Sequence, residues 1–227
     1  MNLVLQLRNN KKLVTSFSIF VFLFSLLAVS LLIGRIFIDD NPLERFLVTI
    51  FYFTTQSNFL IFIIMSLFLL KKNNNRWYPI LCFIGLIDIT ITGLIFHIFL
   101  SSYMSSIGLM QQLLHTVIPI IYILFYFVVF NEKIKIKYFW ISLIHPMIFI
   151  ISVYAWIHPF FSHVFITVIP DISGSSYVYP ILDPANYTYG IWGLILFIFG
   201  LLTPFLILVT LGMIYLKSKI EQKVTKN

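Results

Sequence analysis

The chain has 227 residues, of which 60% are hydrophobic, 18% aromatic and only 10% charged, with a mean hydropathy of +0.99. A water-soluble fold of this size has too little interior to hide that much apolar surface. The net charge of +7 is spread loop by loop rather than gathered on one face, which argues against a nucleic-acid partner and for a membrane one.

Six apolar runs follow one another: 13–34, 47–70, 77–100, 110–130, 138–157 and 189–216. Each reaches the ~20 residues that an α-helix needs to cross ~30 Å of hydrocarbon. Backbone groups in lipid must be satisfied within the segment, so the spans are read as helices. The prediction is a single all-α integral membrane domain over 1–227, a polytopic bundle of six transmembrane helices. The first run is longer than the apolar core of a cleaved signal and has no A-x-A site after it, so it reads as a retained span.

Arg8, Lys11 and Lys12 precede the first run. Lys71, Lys72 and Arg76 follow the second, and Lys133, Lys135 and Lys137 follow the fourth. Lys217, Lys219, Lys223 and Lys226 end the chain, so thirteen of the fifteen basic residues fall on one side. The other side holds Arg35 and Arg45, against Asp39, Asp40 and Glu44. Positive charge marks the cytoplasmic side, so both termini are expected there, in a multi-pass protein of the cell membrane. The basic tail reads as a topology signal with a weak pull on lipid headgroups.

One loop is long. It covers 158–188 on the outer side and contains Pro159, Pro170, Pro180 and Pro184, with Gly174, Ser175 and Ser176. Loops of this length serve as lids or binding loops, or simply as outer connections. Its apolar middle, 160–170, is suited to lie back on the bilayer or cap the bundle. Cys82 is the only cysteine, which leaves no internal disulfide and no cysteine-based metal site. His158 and His163, five apart and loop-borne, do not make a metal site, so no metal or other cofactor is expected.

Polar groups inside spans are expensive, and each is a candidate for function. In the second run, Thr54, Thr55, Gln56, Ser57 and Asn58 interrupt an apolar sequence. Thr54, Ser57 and Asn58 share one helical face, which must meet another helix or a cavity. At the start of the fourth run, His115 follows Gln111 and Gln112, which sets a polar patch around the imidazole. At 1.5 Å per residue, Thr54 and His115 both lie on the order of 10 Å below the outer boundary. A hydroxyl beside an imidazole is the minimal nucleophile–base pair for acyl transfer. Asp88 lies near the midplane of the third run, where His145 and Thr92 are its partners by depth. His97 is near the outer end, and His145-Pro146 sits in the fifth run. Two other readings stay open: a proton relay through Asp88, His97, His145 and His115 in a transporter, and a scaffold whose polar groups only bond helices together.

Three segments, Tyr52-Phe-Thr54-Thr-Gln-Ser-Asn58, Leu114-His115-Thr-Val-Ile-Pro119 and Val178-Tyr179-Pro180-Ile-Leu-Asp183, resemble landmarks of one family. That family is the androgen-induced and androgen-dependent-TFPI-regulating membrane proteins, with their bacterial six-span relatives. The resemblance runs from the second span to the sixth. It implies an atypical threonine hydrolase of fatty acid esters of hydroxy fatty acids, with Thr54 as nucleophile and His115 as its histidine. Thr55 is the alternative nucleophile, because the motif carries two threonines in register. The Gln-Ser-Asn after them departs from the animal pattern and resembles the bacterial branch. The expected mechanism has an ester enter from the outer leaflet, with Asn58, Ser57 or Gln56 donating to the oxyanion. Tyr179, Pro180 and Asp183 are expected at the mouth of the site. The expected partners are membrane lipid and a lipid-ester substrate.

Overall fold

The computed structural model describes residues 3–104, 106–168 and 176–225. It is helical, without a strand among the described residues. In chain order the helices are α1 (Leu3–Asn9), α2 (Lys11–Phe37), α3 (Pro42–Phe51), α4 (Phe53–Leu69), α5 (Tyr78–Tyr103), α6 (Leu109–Val129), α7 (Ile136–Val168) and α8 (Ile191–Val224). Five of these, α2, α5, α6, α7 and α8, are each long and apolar enough to cross a membrane. The pair α3 and α4 meets the same test together but is bent by 77° between them.

That bend corrects the expectation of one straight helix over 47–70. Tyr52 is extended, with φ −71° and ψ 128°, and ends α3 before α4 begins. Neither proline nor glycine causes the break. A broken helix frees carbonyls on one side and N–H groups on the other, and an apolar setting requires partners for them. Gln56 Nε2 donates to the Ile50 carbonyl at 2.9 Å, and the Thr54 N–H donates to the Tyr179 hydroxyl at 3.2 Å. Part of the polar run thus repairs the backbone it follows. Thr54 stands at the head of α4, not two turns inside an unbroken span.

Proline explains a second departure. The helix of the fifth run does not stop at 157; His158–Val168 continues it, so the first 11 residues of the expected loop 158–188 are helical. Pro159, which argued for a loop, follows a widened turn over Val153–Ile157, where the His158 N–H bonds back to Val153. Widened turns also immediately precede Pro119 (Leu113–Val117) and Pro204 (Leu196–Leu202). A proline lacks the N–H and crowds the carbonyl four residues back, and a wider turn relieves both problems without ending the helix. Pro170, Gly174 and Ser175 lie outside the described residues.

α5 occupies the centre. Its residues are buried on every side, from Cys82 and Phe83 through Leu86, Ile87, Asp88 and Ile89. α4, α6 and α7 pack around it, α8 packs on α7 and touches α5 through Met213 at Thr90 and Phe197 at Phe99, and α2 packs on α4 and α6. Gly93 brings α5 and α6 together: a Cβ there would meet the His115 carbonyl oxygen at 3.2 Å and Pro119 at 3.3 Å.

The first helix, α1, and the last turns of α8 meet at one end of the bundle. Arg8 of α1 reaches Glu221 of α8 at 2.7 Å and donates to the Val128 carbonyl of α6 at 2.8 Å. Lys217 pairs with Glu221 at 2.9 Å and donates to the carbonyls of Tyr126 and Phe130. Cations here satisfy the last carbonyls of α6. The opposite end carries Arg35, Arg45, the α3–α4 bend and the segment 176–190, folded back over the bundle.

Candidate functional site

At that opposite end, a cavity of about 320 Å³ opens between α2, α3, α4, α5 and α6. It falls at the small end of the range for ligand pockets. Thr54, Thr55, His115, Gln111, Arg35 and Tyr179 are among its walls. A second cavity, about 80 Å³, lies against Phe53, Phe149, Ile150, Phe197 and Leu206 and is almost wholly apolar. Thr54, Leu100 and Tyr179 line both cavities. Thr54 and the Tyr179 hydroxyl are therefore the polar groups at the junction of a partly polar chamber and an apolar slot. Thr55 lines only the larger chamber.

The bend presents Thr54. Its Oγ1 lies 3.2 Å from the Tyr179 hydroxyl, which also accepts the Thr54 N–H. The phenol oxygen accepts from the backbone, so its own hydrogen is free for Thr54 Oγ1 or for an oxygen bound beside it. Burial pushes the Tyr179 phenol up to about 12, so it stays protonated and remains a donor at neutral pH. Tyr179 was expected at the mouth of the site; it reaches the threonine itself.

His115 sits in the widened turn Leu113–Val117, stacked on Phe96 with ring centroids 3.9 Å apart and planes 10° from parallel. Its Nδ1 lies 3.4 Å from the Thr92 carbonyl oxygen. A carbonyl only accepts, so Nδ1 carries the hydrogen, and in the neutral ring Nε2 is the lone-pair nitrogen. Nε2 has no hydrogen-bond partner among the described residues. The imidazole is held on one side by a backbone oxygen and by an aromatic plane, while the residue faces the chamber. No direct hydrogen bond joins it to Thr54; the two groups share a cavity rather than a contact.

Thr92 is itself fixed, because its Oγ1 meets Ser57 Oγ at 2.7 Å, and Ser57 also donates to the Thr54 carbonyl at 3.1 Å. Asn58 Nδ2 donates to the carbonyls of Thr54 at 2.8 Å and Leu114 at 3.3 Å. These bonds tie α4 to α5 and α6 around the site. They also engage the donors of Ser57 and Asn58, while Gln56 directs one N–H to Ile50; none of these three residues, expected near the oxyanion, is among the walls of either cavity.

The glutamines divide. Gln111 lines the chamber, whereas Gln112 accepts from Thr116 at 3.2 Å, and Thr116 meets His97 Nε2 at 2.9 Å. Only half of the patch expected around His115 is there. Asp88 meets His145 at 2.8 Å, and His145 Nε2 meets Gln56 Oε1 at 3.1 Å. Among the described residues, no direct hydrogen bond links Asp88 and His145 to His97 or His115. Asp183 accepts the Ala185 N–H at 2.9 Å and caps a short turn of the overlying segment. Pro180 lines the chamber.

Sequence reasoning passed over Arg35 and Arg45 as topology charges, yet both line the chamber. Their signal was present: they are the only basic residues between the first run and Lys71. Compared with family models, with curated proteins and with solved structures, the chain matches none.

Proposed function

We propose that the chain is a multi-pass protein of the cell membrane, with both termini cytoplasmic, that hydrolyses lipid esters with Thr54 as nucleophile and His115 as base. The sequence motifs that resemble the threonine hydrolases point the same way. The observation that carries the reading is the pair of groups on one cavity wall. Thr54 sits where a polar chamber meets an apolar slot, and His115 faces the same chamber with Nδ1 occupied and Nε2 open.

The chemistry follows from these positions. An acyl chain lies in the apolar slot, and its ester carbonyl stands at Thr54. Thr54 Oγ1 attacks the carbonyl carbon, and its proton goes to His115 Nε2. The oxyanion of the tetrahedral intermediate takes the Tyr179 O–H, an interaction of the kind worth about 3 kcal/mol in acyl transfer. As the intermediate collapses, His115 returns the proton to the leaving alcohol and Thr54 is left acylated. Water, deprotonated by the same nitrogen, then releases the acid. Stacking on Phe96 and the Thr92 carbonyl hold the imidazole for both transfers.

The test is hydrolysis of a fluorogenic long-chain ester by the purified protein in nanodiscs. Wild type turns it over, and Thr54→Ala and His115→Ala, purified as monodisperse species, do not. Ester turnover unchanged in both variants contradicts the reading. Proton flux in liposomes that disappears with Asp88→Asn while esters stay intact favours transport instead.

A further inference from the structure

Arg35 ends α2, and a cation in the last turn of a helix is ordinary. Its surroundings are not. It lines the chamber together with Arg45, and no carboxylate is among that chamber's described walls. Arg45 is buried and fixed from behind, with Nε on Asp39 at 2.6 Å and Nη2 on the Val168 carbonyl at 3.0 Å. Its Nη1 makes no hydrogen bond among the described residues, and Arg35 makes none at all among them. Asp39, on Arg45 and felt also by Arg35, offsets one of the two positive charges, so the pair stays net cationic toward the chamber. Arginine's fork suits the oxygens of a carboxylate or phosphate.

We propose that Arg35 and Arg45 form an anion site for the acidic group, carboxylate or phosphate, of a lipid whose chain runs past Thr54 into the apolar slot. Arg45 is the fixed half of the site, held by Asp39 and the end of α7. Arg35 is the adjustable half, closing on the anion from α2. The chamber joins this charged rim to Thr54 and His115, so one bound molecule spans both. Read with the proposed hydrolysis, the substrate is an anionic lipid, and neutral esters of the same chain length are poor ones.

Binding of uncleavable probes tests the site without relying on hydrolysis, so a failure of the Thr54 chemistry leaves the test intact. Tyr103 lines the chamber and is exposed at 42%, and the native Cys82 is buried. In Tyr103→Cys, maleimide labelling reports occupancy. Dodecyl phosphate and dodecanoate are compared with dodecanol. The expected result is protection by at least one anion at about tenfold lower concentration than dodecanol, abolished by adding Arg35→Gln and kept with Lys72→Gln at the far end. Protection by phosphate alone identifies a headgroup phosphate, and by dodecanoate alone a free carboxylate. Equal protection by dodecanol, no protection by either anion, or protection that survives Arg35→Gln overturns the proposal. Should Arg35→Gln not fold, weakening of the anion preference between low and high salt in Tyr103→Cys alone replaces it, and a salt-independent preference overturns the proposal.

Discussion

Two histidines in this bundle both pack against α5, yet their ring nitrogens are engaged differently. His115 of α6 stacks on Phe96, and His145 of α7 stacks on Phe53. Both are in contact with α5, one through the Thr92 carbonyl and the other through Asp88. His145 has both nitrogens engaged. Gln56 donates its amide to Ile50, so its oxygen is what faces His145, and Nε2 must carry a hydrogen. One proton then lies between Nδ1 and Asp88 Oδ2, while the buried Asp88 Oδ1 has no partner among the described residues. His115 has one nitrogen fixed and the other facing a chamber with a hydroxyl on its wall. A saturated imidazole joins helices; an imidazole left half open can accept a proton from what enters. The partners that surround each ring make this difference, not the residue itself.

Substitutions break this comparison most sharply at the open cluster. His115→Ala is expected to lower ester turnover by about 10³-fold, with thermal stability in detergent changed little, because its one bond is long and to a carbonyl. His145→Ala is expected to do the reverse: turnover per folded molecule within about threefold of wild type, and a clear loss of unfolding temperature. Tyr179→Phe comes next. Removing an oxyanion donor costs on the order of 10²-fold in turnover, read from kcat with KM nearly unchanged. Asp88→Ala leaves His145 facing an empty partner in the interior and is expected to cost about 3 kcal/mol of stability, measured by chemical unfolding.

Smaller effects sharpen the picture. Ser57→Ala removes the bond to Thr92 and is expected to cost about 1 kcal/mol, with a modest loss of turnover through the slackened Thr92 carbonyl. The smallest concerns Asp39 at the rim. The Asn41 N–H and the Arg45 guanidinium hold its carboxyl below the usual carboxylate range. A depressed folded value means the contribution is present above the ordinary carboxylate value and is lost as pH falls through the depressed one. Between pH 7 and pH 5 the Asp39–Arg45 pair is therefore expected to leave stability flat, checked by thermal unfolding at the two pH values.

The helical architecture was legible because apolar runs of membrane length permit little else, and five of the six runs became single long helices. The bend at Tyr52 was not legible, since Phe51-Tyr52-Phe53 carries no breaker. What betrayed it was the polar run after it, read for chemistry when half of it serves the backbone. Pro159 misled in the opposite direction, because a widened turn absorbs a proline that sequence rules count as a stop. Thr54 and His115, which share a cavity, were singled out by the cost of polar groups among apolar ones. Arg35 and Arg45 were not, because a charge near a helix end is explained cheaply by topology. The contact of Tyr179 with Thr54 joins residues 125 positions apart and had no local signal beyond its motif.

The most direct test is to map the adduct of a long-chain fluorophosphonate on the purified protein by mass spectrometry. The expected result is modification of the Thr54 hydroxyl, absent from Thr55 and lost in His115→Ala. An adduct on Thr55, an adduct that persists without His115, or an unmodified protein that still turns over ester would contradict the assignment of Thr54 and His115 as the reacting pair.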